Sequence, residues 1–422
     1  MKQQQPPQND PALEAFEKLR VREVEDEYNL AAFAFLAKFQ STATILKPDE
    51  RIKINANYMH ENVESLKAVF SDPQANKICA LFWGYGGYKG GKSIIPLLIN
   101  NCPELASLEV HFMNHSAFDF VSSVLEHPSN KIKVLEMPPN TKGDSARFFA
   151  ALGQSQVSAL TLSHSPKSVQ GLHEYLAKDL LVRLKVRMGE KQLPSEMMMS
   201  LVDCTRLVKL ELIECEFSQS TVFTLPKSIT RLELDNCTFV GDFDWSFLAD
   251  SNVRKLYFFD VRGVDGTQRG SALAVHLRAK GLDELCFYRC NFVDETLAAI
   301  GLGVGRIKKL SASYAILNDA SFAQIALALL SPNSEMKELV LPYDDRMASS
   351  IETHLVPALK HPNCNLAKLS LSTYGGGAKV AEHFHKRLAL FVLLQGRQVR
   401  RRYCPLRRLP VEMFRLVGKM LL

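Results

Sequence analysis

Two short motifs carry residue types that could do chemistry. Gly86-Gly-Tyr-Lys-Gly-Gly91-Lys92-Ser93 fits the pattern G-x-x-x-x-G-K-[ST]. In a phosphate-binding loop such glycines let backbone N–H groups face the phosphates, the lysine reaches the β and γ oxygens, and the serine holds magnesium. An apolar run ending in an acid, Leu256-Tyr-Phe-Phe-Asp260, would suit the same site. The second motif, His383-Phe-His385, has a spacing that could grip a metal from a strand. It lies in a helical pattern with Val380, Leu388 and Phe391, where residues two apart diverge. No third ligand accompanies it, and the spacing supports no Ser/His/Asp or Cys/His grouping. The expectation is a chain that is not an enzyme, with no catalytic residue, no metal and no cofactor.

The elements that must position any functional residue come from a repeat. Leu207-Val-Lys-Leu210-Glu-Leu212-Ile-Glu-Cys215-Glu-Phe217 returns as Ile229-Thr-Arg-Leu232-Glu-Leu234-Asp-Asn-Cys237-Thr-Phe239. The shared template has an apolar residue at position 1, others at 4 and 6, Cys at 9 and Phe at 11. Alternation around positions 4 and 6 marks a short strand that buries one edge. Position 9 turns inward beside buried backbone groups, where a small thiol serves as a compact apolar residue and weak donor. Position 1 falls on Ile78, Leu105, Ile132, Val157, Leu181, Leu207, Ile229, Val253, Leu282, Ile307, Met336 and Leu366, 22 to 30 residues apart. Helical patterns such as Ser321–Leu330 lie between. One such unit cannot bury its own apolar face and needs a neighbour of its kind.

From Ile78 to Tyr374 the sequence resembles the leucine-rich repeat superfamily, whose signature is L-x-x-L-x-L-x-x-N/C-x-L at this period. The Cys-bearing units are most similar to its cysteine-containing and ribonuclease-inhibitor-like subtypes. Ala315 and Tyr374 depart from the pattern at position 9. The resemblance implies an α/β solenoid: a curved horseshoe with a parallel sheet on its concave face and helices on its convex face. It leaves no stretch of chain for a separate nucleotide-binding fold, so Gly86–Ser93 reads as a glycine-rich connection. The expected organisation is a disordered start over 1–10, a helical cap over 11–77, about twelve repeats over 78–375, and a helical, basic cap or tail over 376–422.

Nine cysteines, an odd number largely at repeat positions, argue for reduced thiols. The start MKQQQPPQND has no apolar signal core, and no apolar run reaches the length of a membrane span. The expected compartment is cytoplasmic, or nuclear through the basic cluster 397–408, or a host cytosol if the protein is a secreted effector. Net charge is +6, but residues 386–422 carry ten Lys or Arg against Glu412 alone. The remainder holds 41 basic and 44 acidic residues, a net of −3. No basic stripe crosses the inner face, so nucleic acid is not an expected partner.

Template positions 3, 5, 7 and 8 face the opening of such a solenoid. Tyr257, Phe259, Asp260, Tyr288, Arg289, Tyr314 and Tyr343 gather there, with a smaller group of Phe82, Tyr85, His111 and Phe112. Aromatic and Arg side chains dominate interface hot spots. The functional expectation is a protein–protein interaction scaffold. The alternative rests on Leu409-Pro410-x-Glu412 followed by Phe414 and Val417, which resembles the opening of an F-box. That resemblance implies a substrate receptor recruited to a cullin-type ubiquitin ligase, as a pathogen effector could be. A helix folding back over the last repeat explains the same residues. Nucleotide binding through Gly86–Ser93 is the third reading.

Overall fold

A strand that buries alternate residues and is followed by a helix has one economical neighbour, another strand running the same way, because the helix provides the crossover that parallel pairing needs. The computed structural model describes residues 20–25, 32–47, 50–56, 63–83, 94–111, 117–137, 144–163, 171–193, 195–218, 223–241, 243–263, 266–290, 293, 297, 306–315, 317–343, 345–361 and 363–373. They divide into two compact units, residues 1–215 with 226–229 and residues 216–225 with 230–422. Both are α/β with parallel strands in chain order.

The first unit contains strands β1 (Arg20–Glu25), β2 (Glu50–Ala56), β3 (Ile78–Trp83), β4 (Ser107–Val110), β5 (Val134–Glu136), β6 (Ala159–Ser163), β7 (Arg183–Gln192) and the first part of β8 (Lys209–Ser218). Helices Ala32–Thr44, Val63–Ser71, Ile95–Asn101, Ala117–Leu125, Ser145–Gln154, Leu172–Leu176 and Ser195–Val202 connect them. Pairing is in register: Ile54 opposes Leu81, then Leu108, Leu135, Leu160 and Leu184 follow strand by strand. These residues are all buried. The main chain repeats too. The Ala106 carbonyl accepts from the N–H groups of Lys133 and Val134, the Lys133 carbonyl from Ser158 and Ala159, and the Ser158 carbonyl from Val182 and Arg183.

Residues 11–77 are therefore not a purely helical cap. β1 and β2 pair in parallel, and β2 pairs with β3, so this region adds strand–helix units of its own. Ile52 and Ile54 alternate with Arg51 and Lys53. That period of two is a strand signal which the surrounding helical pattern masks. No helix among the described residues is long and apolar enough to cross a membrane.

The second unit contains β9 (Arg231–Asp235), β10 (Thr238–Val240), β11 (Lys255–Phe259), β12 (Leu282–Tyr288), β13 (Ile307–Ser311), β14 (Glu338–Tyr343) and β15 (Lys368–Thr373). Leu232, Leu256, Leu285, Leu310, Leu339 and Leu369 align across six strands. The main-chain link recurs, with the Thr230 carbonyl accepting from Arg254 and Lys255 and the Arg254 carbonyl from Asp283 and Glu284. β10 pairs with the last residues of β8, placing Phe239 opposite Phe217. These two position-11 rings stack at 4.7 Å and 10°. Phe223 and Phe243 each lie 5.5 Å from Phe217, and Trp245 lies 4.6 Å from Phe239. Phe217 is fully buried in this group, whereas Val240, next to Phe239, is 48% exposed. Phe217→Ala should cost about 3–5 kcal/mol and Val240→Ala no more than about 0.5 kcal/mol, as read from urea unfolding of the two variants beside the parent.

Candidate binding faces of the strands

Residues at positions 4 and 6 fill the core, so those at 3, 5 and 7 leave the opposite face. In-register pairing turns each position into a row. In the second unit position 3 reads Arg231, Lys255, Glu284, Lys309, Glu338 and Lys368. Lys309 holds Glu284 and Lys368 holds Glu338, so the row neutralises much of its own charge. Positions 5 and 7 of β11 and β12 add rings. Tyr257 and Phe259 lie nearly parallel, 6.0 Å apart at 8°. Phe259 meets Tyr288 at 6.1 Å, and Tyr288 meets Tyr314 edge-on at 4.9 Å. The Arg289 guanidinium carbon stands 5.4 Å from the Tyr288 ring centre.

These residues divide by exposure. Tyr257 is only 8% exposed. Its hydroxyl donates to Glu284 Oε2 at 2.5 Å, and the Arg231 guanidinium carbon lies 4.7 Å from its ring centre. It packs between Arg231, Glu284 and Phe259. Burial, then the hydrogen bond to Glu284, push its phenol above the ordinary tyrosine value. Burial alone would raise the Glu284 carboxyl, but hydrogen bonds from Lys309 and Tyr257 and the Lys309 charge bring it below its usual value. Phe259, Asp260, Tyr288 and Tyr314 are half-buried, and Arg289 is exposed.

Position 8 has its own geometry. Glu214, Asn236, Asp260, Arg289 and Tyr314 all occupy it, and all have positive φ, from 47° to 59°. The backbone turns there so that position 9 can point inward. The Asn236 and Asp260 N–H groups donate to the Phe259 and Tyr288 carbonyls of the next strand, each at 2.7 Å. At position 9 the Cys237 thiol donates to the Asp235 carbonyl at 3.4 Å and the Cys290 thiol to the Phe258 and Tyr288 carbonyls at 3.5 Å. Asn and Asp tolerate the left-handed conformation; Arg and Tyr enter it at a cost.

The first unit presents different chemistry on the corresponding face. Position 5 reads Phe82, Glu109, Glu136, Thr161 and Lys185. His111 Nε2 lies 2.8 Å from Glu109 Oε1, and Phe82 stacks on the imidazole at 4.8 Å and 30°. Burial, then the charge of Glu109, hold the Glu136 carboxyl above its ordinary value, with Lys185 and His111 opposing. Lys185 is itself 3.9 Å from Glu211.

Of the residues expected to bind a partner, the structure brings together Tyr257, Phe259, Tyr288, Arg289 and Tyr314. Asp260 turns toward Arg262, 3.8 Å from its Nε. Tyr343 ends β14. Residues 84–93, with the Gly86–Ser93 motif and Tyr85, lie outside the described residues, as do Phe112, His383 to His385, and Leu409, Pro410, Glu412, Phe414 and Val417. The Glu109–Glu136 pair was missed in the sequence, although both fall at position 5 of successive units. Neither a protein-family model nor a curated protein matches the chain.

Tyr257→Phe should cost about 1 kcal/mol near neutral pH by removing one partly buried hydrogen bond. A phenol whose value is raised on folding adds stability that is present below the unfolded value near 10 and lost as pH climbs beyond it. The parent should therefore lose more of its thermal midpoint than Tyr257→Phe when pH is raised from about 9 to about 11. Equal losses would show that the phenol is not held this way.

Proposed function

We propose that this chain is a non-enzymatic scaffold of the leucine-rich-repeat type, and that it binds a partner protein on the open strand face of its second unit. The observation that carries this reading is the contiguous group of Phe259, Tyr288, Tyr314 and Arg289, with Phe259 stacked beside Tyr257. A non-glycine residue held at positive φ costs about 1–3 kcal/mol. Arg289 and Tyr314 both sit there, where Asn or Gly would be at ease. Core packing does not require them, since Arg289 is exposed and Tyr314 half-buried. What the strained positions achieve is presentation: one guanidinium and one phenol ring beside Tyr288. Large rings that are already ordered lose little entropy on binding, and Arg and Tyr concentrate interface energy. An apolar segment of a partner that also carries a carboxylate for Arg289 would match this surface.

Capture of partners from lysate by the parent, Tyr288→Ala/Tyr314→Ala, Arg289→Gly and a chain ending at Gly396 tests the reading. The double alanine variant should retain its main partner more than tenfold less well. Arg289→Gly should also bind less, yet its urea midpoint should equal or exceed that of the parent because strain is relieved. The chain ending at Gly396 should bind as the parent does. Retention of the partner by both ring and Arg variants would overturn the assignment. If instead the shortened chain loses cullin-ligase subunits, the receptor reading takes its place.

A further inference from the structure

We propose that Glu109, His111 and Glu136 form a binding site for a divalent transition-metal ion of the zinc class on the strand face of the first unit. One ligand atom from each of the three residues can be chosen so that all lie within 4.8 Å of one another. The placement follows from the strands. Glu109 and His111 are two residues apart at positions 5 and 7, so both leave the face opposite buried Leu108 and Val110. Glu136 comes from the next strand, where register sets it directly across from Glu109.

That register is an observation apart from the clustering. Like charges directly opposite on neighbouring strands destabilise a sheet. The row beyond offers only partial relief: Thr161 follows Glu136, and Lys185, whose charge reaches Glu136, comes one strand later and lies 3.9 Å from Glu211. Two carboxylates are thus held side by side, with the His111 imidazole on Glu109, and a cation between them would convert the repulsion into attraction. Phe82 stacks on the His111 ring, whose Nε2 faces the Glu109 carboxylate.

The donor set selects the ion. Neutral imidazole suits zinc and its neighbours, while two carboxylates add charge and hard oxygen donors. Donors about 2.0–2.2 Å from one tetrahedral zinc ion lie roughly 3.3–3.6 Å apart. Reaching that spacing takes shifts of roughly 1–1.5 Å at the side-chain ends, drawing the wider-set donors in and parting His111 Nε2 from Glu109 Oε1, now 2.8 Å apart, within reach of side-chain rotation. Three protein ligands leave a fourth position for water or for a donor from another molecule, as at zinc sites that remain open.

The test is a titration of the full chain with Zn²⁺ in calorimetry and with Co²⁺ in absorption, thiols kept reduced. The site should bind one equivalent, raise the thermal midpoint, and give a Co²⁺ spectrum without a sulfur-to-cobalt charge-transfer band. His111→Ala and Glu136→Gln should each weaken binding more than tenfold while leaving the metal-free midpoint within a few degrees of the parent. These side chains are partly exposed, so both variants should fold. A charge-transfer band would assign the metal to cysteines and overturn the proposal. So would binding that survives both substitutions, or the absence of saturable binding of either ion.

Discussion

Everything on the strand faces depends on the in-register stacking of the position-4 leucines. From β3 onward, apart from β10, each strand presents a position-4 leucine to the core, and these leucines lie alongside one another, as in Leu285 beside Leu310 beside Leu339. The main-chain bonds from two successive N–H groups to one carbonyl of the preceding unit, seen from Ala106 to Lys133 and Val134 and again from Thr230 to Arg254 and Lys255, secure the same alignment. A slip of one residue would send the leucines to solvent and the charged residues into the core. The apolar term therefore fixes the rows of positions 3, 5 and 7, although none of those residues contributes to it.

The end of each strand is where this regularity has a cost. The chain must leave its strand direction, and in five units it does so through a left-handed residue at position 8 followed by a buried one at position 9. Cysteine solves the second position because its thiol is small, largely apolar and able to donate weakly to the strand carbonyls it meets. No single residue type solves the first. Asn236 and Asp260 lower the strain, whereas Glu214, Arg289 and Tyr314 accept it. Since the turn geometry is common to all five, the difference lies in what the side chain does outside the turn.

The sequence showed the strands readily and the turn poorly. Leucines at positions 4 and 6 are visible because burial demands one residue class there, and the cysteines because few residues fit position 9. The strand Glu50–Ala56 was hidden by its surroundings: Ile52 and Ile54 alternate, but Tyr58, Val63 and Leu66 nearby suit a helical stripe. The positive φ at Arg289 and Tyr314 could not be read from residue type, since both normally avoid it; only the alignment of position 8 with Asn236 and Asp260 hints at it. Tyr257 was legible as a residue of the open face, but not as one closed off, because its cover comes from Arg231 one strand before and Glu284 one strand after. Side chains that meet across the ladder are distant in sequence, and their contacts depend on lengths and rotamers that the pattern does not encode.

A stack built by repetition places equal template positions next to one another, and residue types respond differently to that. Leucine beside leucine gains, and phenylalanine can gain too, as Phe258 on Phe287 at 5.4 Å and 6° illustrates. A charge beside its own copy loses. The position-3 row of the second unit avoids the loss from Glu284 onward by alternating sign through Lys309 and Glu338 to Lys368. Half-buried pairs near the surface add little stability, about 0–1 kcal/mol each, so their value lies in removing repulsion that uniform repetition would create. Glu109 and Glu136 lack that correction, although one basic residue in place of either would supply it. Two acids kept in register beside an imidazole repel one another, and a cation bound between them would turn that repulsion into attraction.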